Sequence, residues 1–249
     1  ILEKYQNRFM SKIALCLSGY FDSLTDKTSK GIDGFKYIQK KILSLYNEVD
    51  VYIHSWDINK KSEIEQLYNP KNIIFEKQIN FLSNEITNFK DEQKDRIIDA
   101  NRILSHSYGV SKSIELACKS STKYDIIIRS RFDLGRINRL HAGRPFITFK
   151  PFSINRNFWR NIHPVQCIEF NPSLDMSYYY FAYWKYNHHG PADMWWYSSH
   201  DNMSKFSDFF NYANNQLKIG SKFLSKFKKP NYIDLLNDFM IQSNIWKNV

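Results

Sequence analysis

One segment of the sequence carries charge out of an apolar strand, YDIIIRSRFDL at residues 124–134. Three consecutive isoleucines mark a strand buried on both faces. Arg129, Arg131 and Asp133 then place two guanidiniums and a carboxylate at the rim of the sheet, where desolvation is costly unless each charge has a partner. Asp133 can hold Mg²⁺ or Mn²⁺, which in turn grips a diphosphate, while Arg129 and Arg131 can neutralise phosphate oxygens directly. The other reading is an internal Arg–Asp salt bridge. A second carboxylate, Asp193, precedes the aromatic run Trp195-Trp196-Tyr197. Aromatic faces stack on sugar C–H surfaces, and a partly desolvated carboxylate whose pKa rises toward neutrality can act as a general base on an acceptor hydroxyl. Asp193 is equally suited to cap a helix beginning at Met194. His200 and Asp201 are further base candidates on the same segment.

Several other chemistries lack their residues. There is no GxGxxG after the first strand, no GxxxxGK[ST] and no HExxH, which removes the main support for a dinucleotide-binding Rossmann fold, a P-loop NTPase and a zincin. His188 and His189 alternate sides if extended and suit a loop better than a zinc site. Cys16, Cys118 and Cys167 are odd in number and far apart, so a disulfide framework is not expected, and a reducing cytoplasm is the simplest compartment.

The elements that must position the charged residues follow from the apolar pattern. Ile13 to Leu17 reads as a buried strand ending at Ser18-Gly19. Phe35, Ile38, Ile42, Leu45 and Tyr46 recur at helical spacing behind Asp33-Gly34. Asp50 to Trp56 and Asn72 to Phe75 read as the second and third strands, and the proline-free stretch from Asp91 to Ser120 as one long helix. Arg96 and Arg102 lie six apart on that helix, so at most one of them faces a cleft. This alternation predicts an α/β fold with a mostly parallel sheet. The strand ends, Ser18-Gly19, Ser55 with Asp57, and Arg129 to Asp133, then converge on one cleft. The second half is less regular. Strands are expected near Phe146 to Phe149 and Gln166 to Phe170, a helical region from Ala192 to Lys218, and an amphipathic helix from Tyr232 to Ile245. One domain is expected over residues 10–249, with a nucleotide-binding half at 10–134 and an acceptor half at 135–249. Residues 1–9 read as a lead-in or the tail of an upstream segment.

The segments KIALCLSGYFDS (12–23), DVYIHSWD (50–57) and YDIIIRSRFDL (124–134), in that order, resemble the nucleotide-sugar glycosyltransferases of GT-A type found in bacteria and large viruses. PADMWWYSS (191–199) is similar to their later acidic segment, which lines the sugar and acceptor site. The resemblance implies a single GT-A-like domain, a UDP-sugar donor by default, a surface-glycan acceptor and a divalent cation held by Asp133. It also implies that Ser18-Gly19 lets the base and ribose approach the backbone, and that Asp57 accepts hydrogen bonds from a ribose hydroxyl or base edge. A turn cap is the plainer role for Asp57. Where many such enzymes carry Asp-x-Asp, this chain reads Arg131-Phe132-Asp133, with one carboxylate.

Composition bounds the alternatives. The 249 residues are 43% hydrophobic and 16% aromatic, which excludes disorder, collagen and coiled coil. Lys and Arg exceed Asp and Glu by 35 to 25, a formal charge of +10 that favours an anionic partner. A basic, aromatic-rich module for nucleic acid or glycan is therefore the second reading, weakened because the basic residues are not grouped in one tract. Nucleic acid is accordingly not the expected partner. A methyltransferase-like enzyme ranks third, lacking a glycine-rich loop after the first strand. Lys222 to Lys229 alternates cationic and apolar side chains, as suits peripheral contact with an anionic membrane; the alternative is a solvated face whose Phe223, Leu224 and Phe227 pack inward.

Overall fold

A computed structural model describes residues 11–22, 31–82, 91–135, 167–168, 170–182, 193–218, 221 and 231–245. Among them, six strands form one sheet: β1 (Ile13–Gly19), β2 (Val49–Ser55), β3 (Asn72–Phe75), β4 (Ile126–Arg131), β5 (Tyr180–Phe181) and β6 (Trp195–Ser199). Their spatial order is β3-β2-β1-β4-β6-β5. The first four are parallel, and β6 runs antiparallel to both β4 and β5. The chain is thus an α/β protein with a mixed, mostly parallel sheet.

The runs IALCLSG and IIIRSR are apolar without alternation because both faces of these strands are covered. Side chains from alternate positions feed two separate cores. Ala14, Cys16, Tyr52, Ile127 and Trp196 lie in one, and Ile13, Leu15, Leu17, Val51, Ile53, Ile126, Ile128 and Tyr197 in the other. Helix α1 (Gly31–Ile38) continues into a π-helical turn at Gln39–Leu43, and its Phe35, Ile38 and Ile42 stripe covers the second face. Helix α2 (Lys61–Tyr68) adds Ile64 and Tyr68 to that layer. The long helix α3 (Asp91–Cys118) covers the first face through Ala100, Ile103, Leu104, Val110, Ile114 and Ala117. The crossovers through α1 and α2 therefore lie on one face and that through α3 on the other, which puts the topological switch point between β1 and β4.

Two glycines fit α1 against the strand ends at that point. A Cβ on Gly31 would overlap the Phe21 ring, and one on Gly34 would overlap the Phe132 carbonyl oxygen. Asp22 accepts a hydrogen bond from the Gly31 backbone N–H at 2.7 Å. The exits of β1 and β4 are in this way fixed to one helix end.

The C-terminal half differs from the sequence expectation. Instead of continuous helix over 192–218, residues 195–199 form β6, and helix α4 (His200–Ser204) begins only where the Ser199 hydroxyl accepts from the Asn202 N–H. Trp195, Trp196 and Tyr197 are strong strand formers, and the open edge of β4 gives them a backbone to pair with. Asp193 is consequently not the cap of a helix at Met194. A 3₁₀ turn (Lys205–Asp208), α5 (Phe209–Gln216) and α6 (Tyr232–Gln242) follow, and Phe206, Phe209, Leu235, Leu236, Phe239 and Met240 join the core beneath α3. Cys167, Ile168 and Phe170 are not in a strand. The expected strand at 146–149, the Lys222–Lys229 segment and residues 1–9 lie outside the described residues. No helix among the described residues is long and apolar enough to cross a membrane.

Candidate functional site

Strand register sets the site. Ser18 of β1 pairs with His54 of β2 on one side and Arg131 of β4 on the other, so the three stand in one row at the carboxyl edge of the sheet. Two residues back along β4, Arg129 pairs with Cys16 and with Trp196 of β6.

Arg129 is fully buried. Its Nη1 donates to the Asp193 backbone carbonyl, its Nη2 meets His106 Nε2 at 2.8 Å, and its guanidinium stacks 4.3 Å from the centre of the Trp196 ring. Burial pushes its pKa down, but a guanidinium remains charged in a protein. Because that guanidinium can only donate, His106 Nε2 must be the acceptor and the imidazole proton sits on Nδ1. Burial, and then the Arg129 charge, hold the His106 pKa at about 3, so the ring is neutral. Arg129 therefore supports the site from below; the phosphate contact read from the sequence would need a surface that this side chain does not present.

Arg131 is the centre of the exposed part. Its Nε donates to Asp133 Oδ1 at 2.8 Å and its Nη2 to Asp133 Oδ2 at 2.7 Å, a two-pronged charge-assisted pair. Its Nη1 reaches Asp193 Oδ2 at 3.3 Å, and His106 Nε2 lies 3.8 Å from the same oxygen. These four side chains are between 21% and 34% exposed, so they form a rim. The Asp133 charge raises the pKa of Arg131. Burial alone would raise that of Asp193, but the Arg131 and Arg129 charges outweigh it and leave the carboxyl below its ordinary range. The rise expected from its aromatic setting is reversed, because Arg131 Nη1 donates directly to the carboxylate. Two arginines and two aspartates cancel.

A second group stands at the ends of β1 and β2. Gly19 takes a positive φ of 112°, and its carbonyl accepts from Ser55 Oγ at 3.0 Å, while the same hydroxyl accepts from the Asp57 N–H at 3.1 Å. Asp57 is half-buried, its pKa raised by burial, and its side chain caps no helix, so the turn-cap role is not the one it plays. Ser18 points inward against α3, where a Cβ on Gly109 would sit 3.5 Å from Ser18 Cβ and 3.1 Å from His54 Nδ1. His54 Nε2 pairs with Glu76 Oε1 at 2.8 Å. At this turn the Ser18 side chain is buried, whereas a Cβ on Gly19 would meet nothing within 4 Å.

The divalent ion implied for Asp133 does not fit these residues. Both Asp133 oxygens are taken by the Arg131 fork, and the Asp193 oxygen and the His106 lone pair face arginine as well. Among the described residues no group of three or more His, Cys, Asp or Glu side chains is arranged to hold a metal.

Of the remaining candidates, Asp201 pairs with Lys123 at 3.4 Å, and Ser199 lies beside Ile126 at the amino end of β4. His200 and Asp201 are thus at the opposite edge of the sheet and cannot replace Asp193. Arg102 is exposed and pairs with Asp99; the side chain of Arg96 lies outside the described residues. His106 and Tyr232 were not singled out from the sequence. The Tyr232 ring meets His106 edge-on, 4.3 Å between centres, with its buried hydroxyl unpartnered among the described residues. A polar ring on the predicted helix between Leu104 and Tyr108 was a signal for His106; Tyr232 gave none.

The chain matches no protein-family model, no curated protein and no solved structure.

Proposed function

We propose that this protein is a glycosyltransferase that moves a sugar from a nucleoside diphosphate donor, UDP-linked by default, to a hydroxyl of a glycan. The observation that carries the reading is the meeting of Arg131, Asp133 and Asp193, from segments some sixty residues apart, at the switch point between β1 and β4. In this reading the Gly19 turn admits the nucleoside and the raised-pKa Asp57 accepts from a ribose hydroxyl. Arg131 faces the leaving diphosphate. Asp193, already ionised, accepts from the acceptor hydroxyl and orients it, while the buried Arg129, donating to its backbone carbonyl, and Arg131, donating to its carboxylate, hold Asp193 in place.

Calorimetric titration with UDP, GDP, CDP and a single-stranded oligonucleotide is the test. Saturable binding of one nucleoside diphosphate, weakened by Asp57→Ala, supports the transferase. Binding of the oligonucleotide alone would favour the basic, aromatic-rich binding module instead.

A further inference from the structure

We propose that Arg131 is the resident cation of this rim, occupying with its guanidinium the place a divalent ion would need, so that the site takes its diphosphate ligand without a metal. The diphosphate part rests on the transferase reading; the exclusion of a metal rests on geometry alone.

A hard divalent cation takes about six oxygen ligands and needs free carboxylate lone pairs within roughly 2.0–2.6 Å. At this rim the carboxylate that would anchor it, Asp133, gives both oxygens to Arg131 at 2.8 and 2.7 Å. The next carboxylate, Asp193, turns Oδ2 to Arg131 Nη1. The nearby imidazole among the described residues, His106, spends its Nε2 lone pair on Arg129. An entering ion would have to displace a fork of two charge-assisted hydrogen bonds and then sit between two guanidiniums, one of which, Arg129, is buried and cannot move aside. With the buried Arg129 counted beneath the rim, the arginine and aspartate charges of the site cancel, which weakens the attraction that draws a divalent ion to an acidic pair. The guanidinium is a fixed planar cation whose donor pattern suits phosphate oxygens, so an anion that competes for Arg131 meets a preformed partner.

The test uses the full chain. Mn²⁺ alone is titrated and followed by electron paramagnetic resonance, and UDP is then titrated calorimetrically in EDTA and in MnCl₂. No stoichiometric Mn²⁺ is expected, and UDP affinity should agree between the two conditions within about twofold. One bound Mn²⁺ per chain that is lost in Asp133→Asn would overturn the proposal, as would a rise in UDP affinity of about tenfold or more with Mn²⁺. Arg131→Gln should weaken UDP by about tenfold, with no recovery on adding Mn²⁺; recovery with Mn²⁺ counts against the proposal. If that variant does not fold, the Mn²⁺ titration of the parent still decides. Failure of UDP, GDP and CDP alike to bind in either condition refutes the transferase reading and leaves the Mn²⁺ result to judge Arg131.

Discussion

His106 and Asp193 are a hydrogen-bond length or two apart, yet each is set by a different force. Burial and Arg129 keep the imidazole neutral, whereas Arg131 keeps the carboxylate ionised against its own burial. The buried His54 is also held below its ordinary pKa, by burial that outweighs the attraction of Glu76. Below pH 6.5 the unfolded chain therefore binds protons at these histidines that the folded chain refuses, so stability must rise with pH through this range and fall as pH drops toward the folded values. Each group can contribute a slope of up to about 1.4 kcal/mol per pH unit. Urea unfolding at pH 7.5 and 5.5 should show this loss, and His106→Gln, which retains an acceptor for Arg129, should reduce it by about 1 kcal/mol. An equal loss in parent and variant would contradict the neutral His106. Asp193→Asn keeps the backbone carbonyl that Arg129 uses, so the fold should tolerate it while single-turnover transfer slows by roughly 10²-fold at unchanged donor affinity. Parental rates would remove Asp193 from acceptor chemistry, and neither His200 nor Asp201 is near enough to inherit the role. Asp133→Asn breaks the fork and, at a partly exposed rim, should cost about 1 kcal/mol of stability in denaturant titration.

At the scale of elements, the site depends on how closely helices approach the strand ends. Gly34 lets α1 lie against the Phe132 carbonyl, and no side chain can yield there because the obstacle is backbone. Gly34→Ala should therefore lower stability by about 2–3 kcal/mol and weaken nucleotide binding by displacing the β4 exit. Gly109 is a milder case. A Cβ there would stand 3.1 Å from His54 Nδ1, a tight contact partly offset by the helix preference of alanine, about 1 kcal/mol. Denaturant midpoints of the two variants should differ in that order, and a Gly34→Ala midpoint equal to that of the parent would show that α1 can shift. The same scale separates what was legible along the chain from what was not. β1, β2, β3, α3, β4 and α6 follow from apolar runs and periodicity. β6 did not, because a strand preference over five residues is a weak local signal until β4 offers its edge. Helix α2 was missed because KSEIEQLY contributes only Ile64 and Tyr68 to the core.

For the whole molecule, the +10 charge and the paired charges of the rim act at different ranges. The rim is a set of short-range hydrogen-bonded pairs, whereas a net charge of +10 supplies a long-range field that attracts anions to the protein as a whole. Association of a nucleoside diphosphate should accordingly slow several-fold as salt rises past the point where the Debye length falls below about 10 Å, with dissociation much less affected. Stopped-flow rates at low and high NaCl measure this. A salt-independent association rate would mean that the net charge faces away from the cleft.

The sequence by itself determined the parallel half of the sheet, the edge at which its polar ends collect and the charged run Arg129, Arg131 and Asp133 at the end of β4. Those features are written in local pattern: unbroken apolar runs for strands covered on both faces, and charge placed where such a run ends. Only the tertiary structure decided how the charges pair. Arg129 and Arg131 are alike in sequence, yet one step of the strand ladder buries the first against Trp196 and leaves the second at the rim with Asp133. Asp193 joins them only because β6 pairs antiparallel with β4, and His106 and Tyr232 only because α3 and α6 pack over the same strand end. Depth and partnership set both protonation and the space left for a cation, and both depend on contacts between segments that no local stretch of sequence encodes.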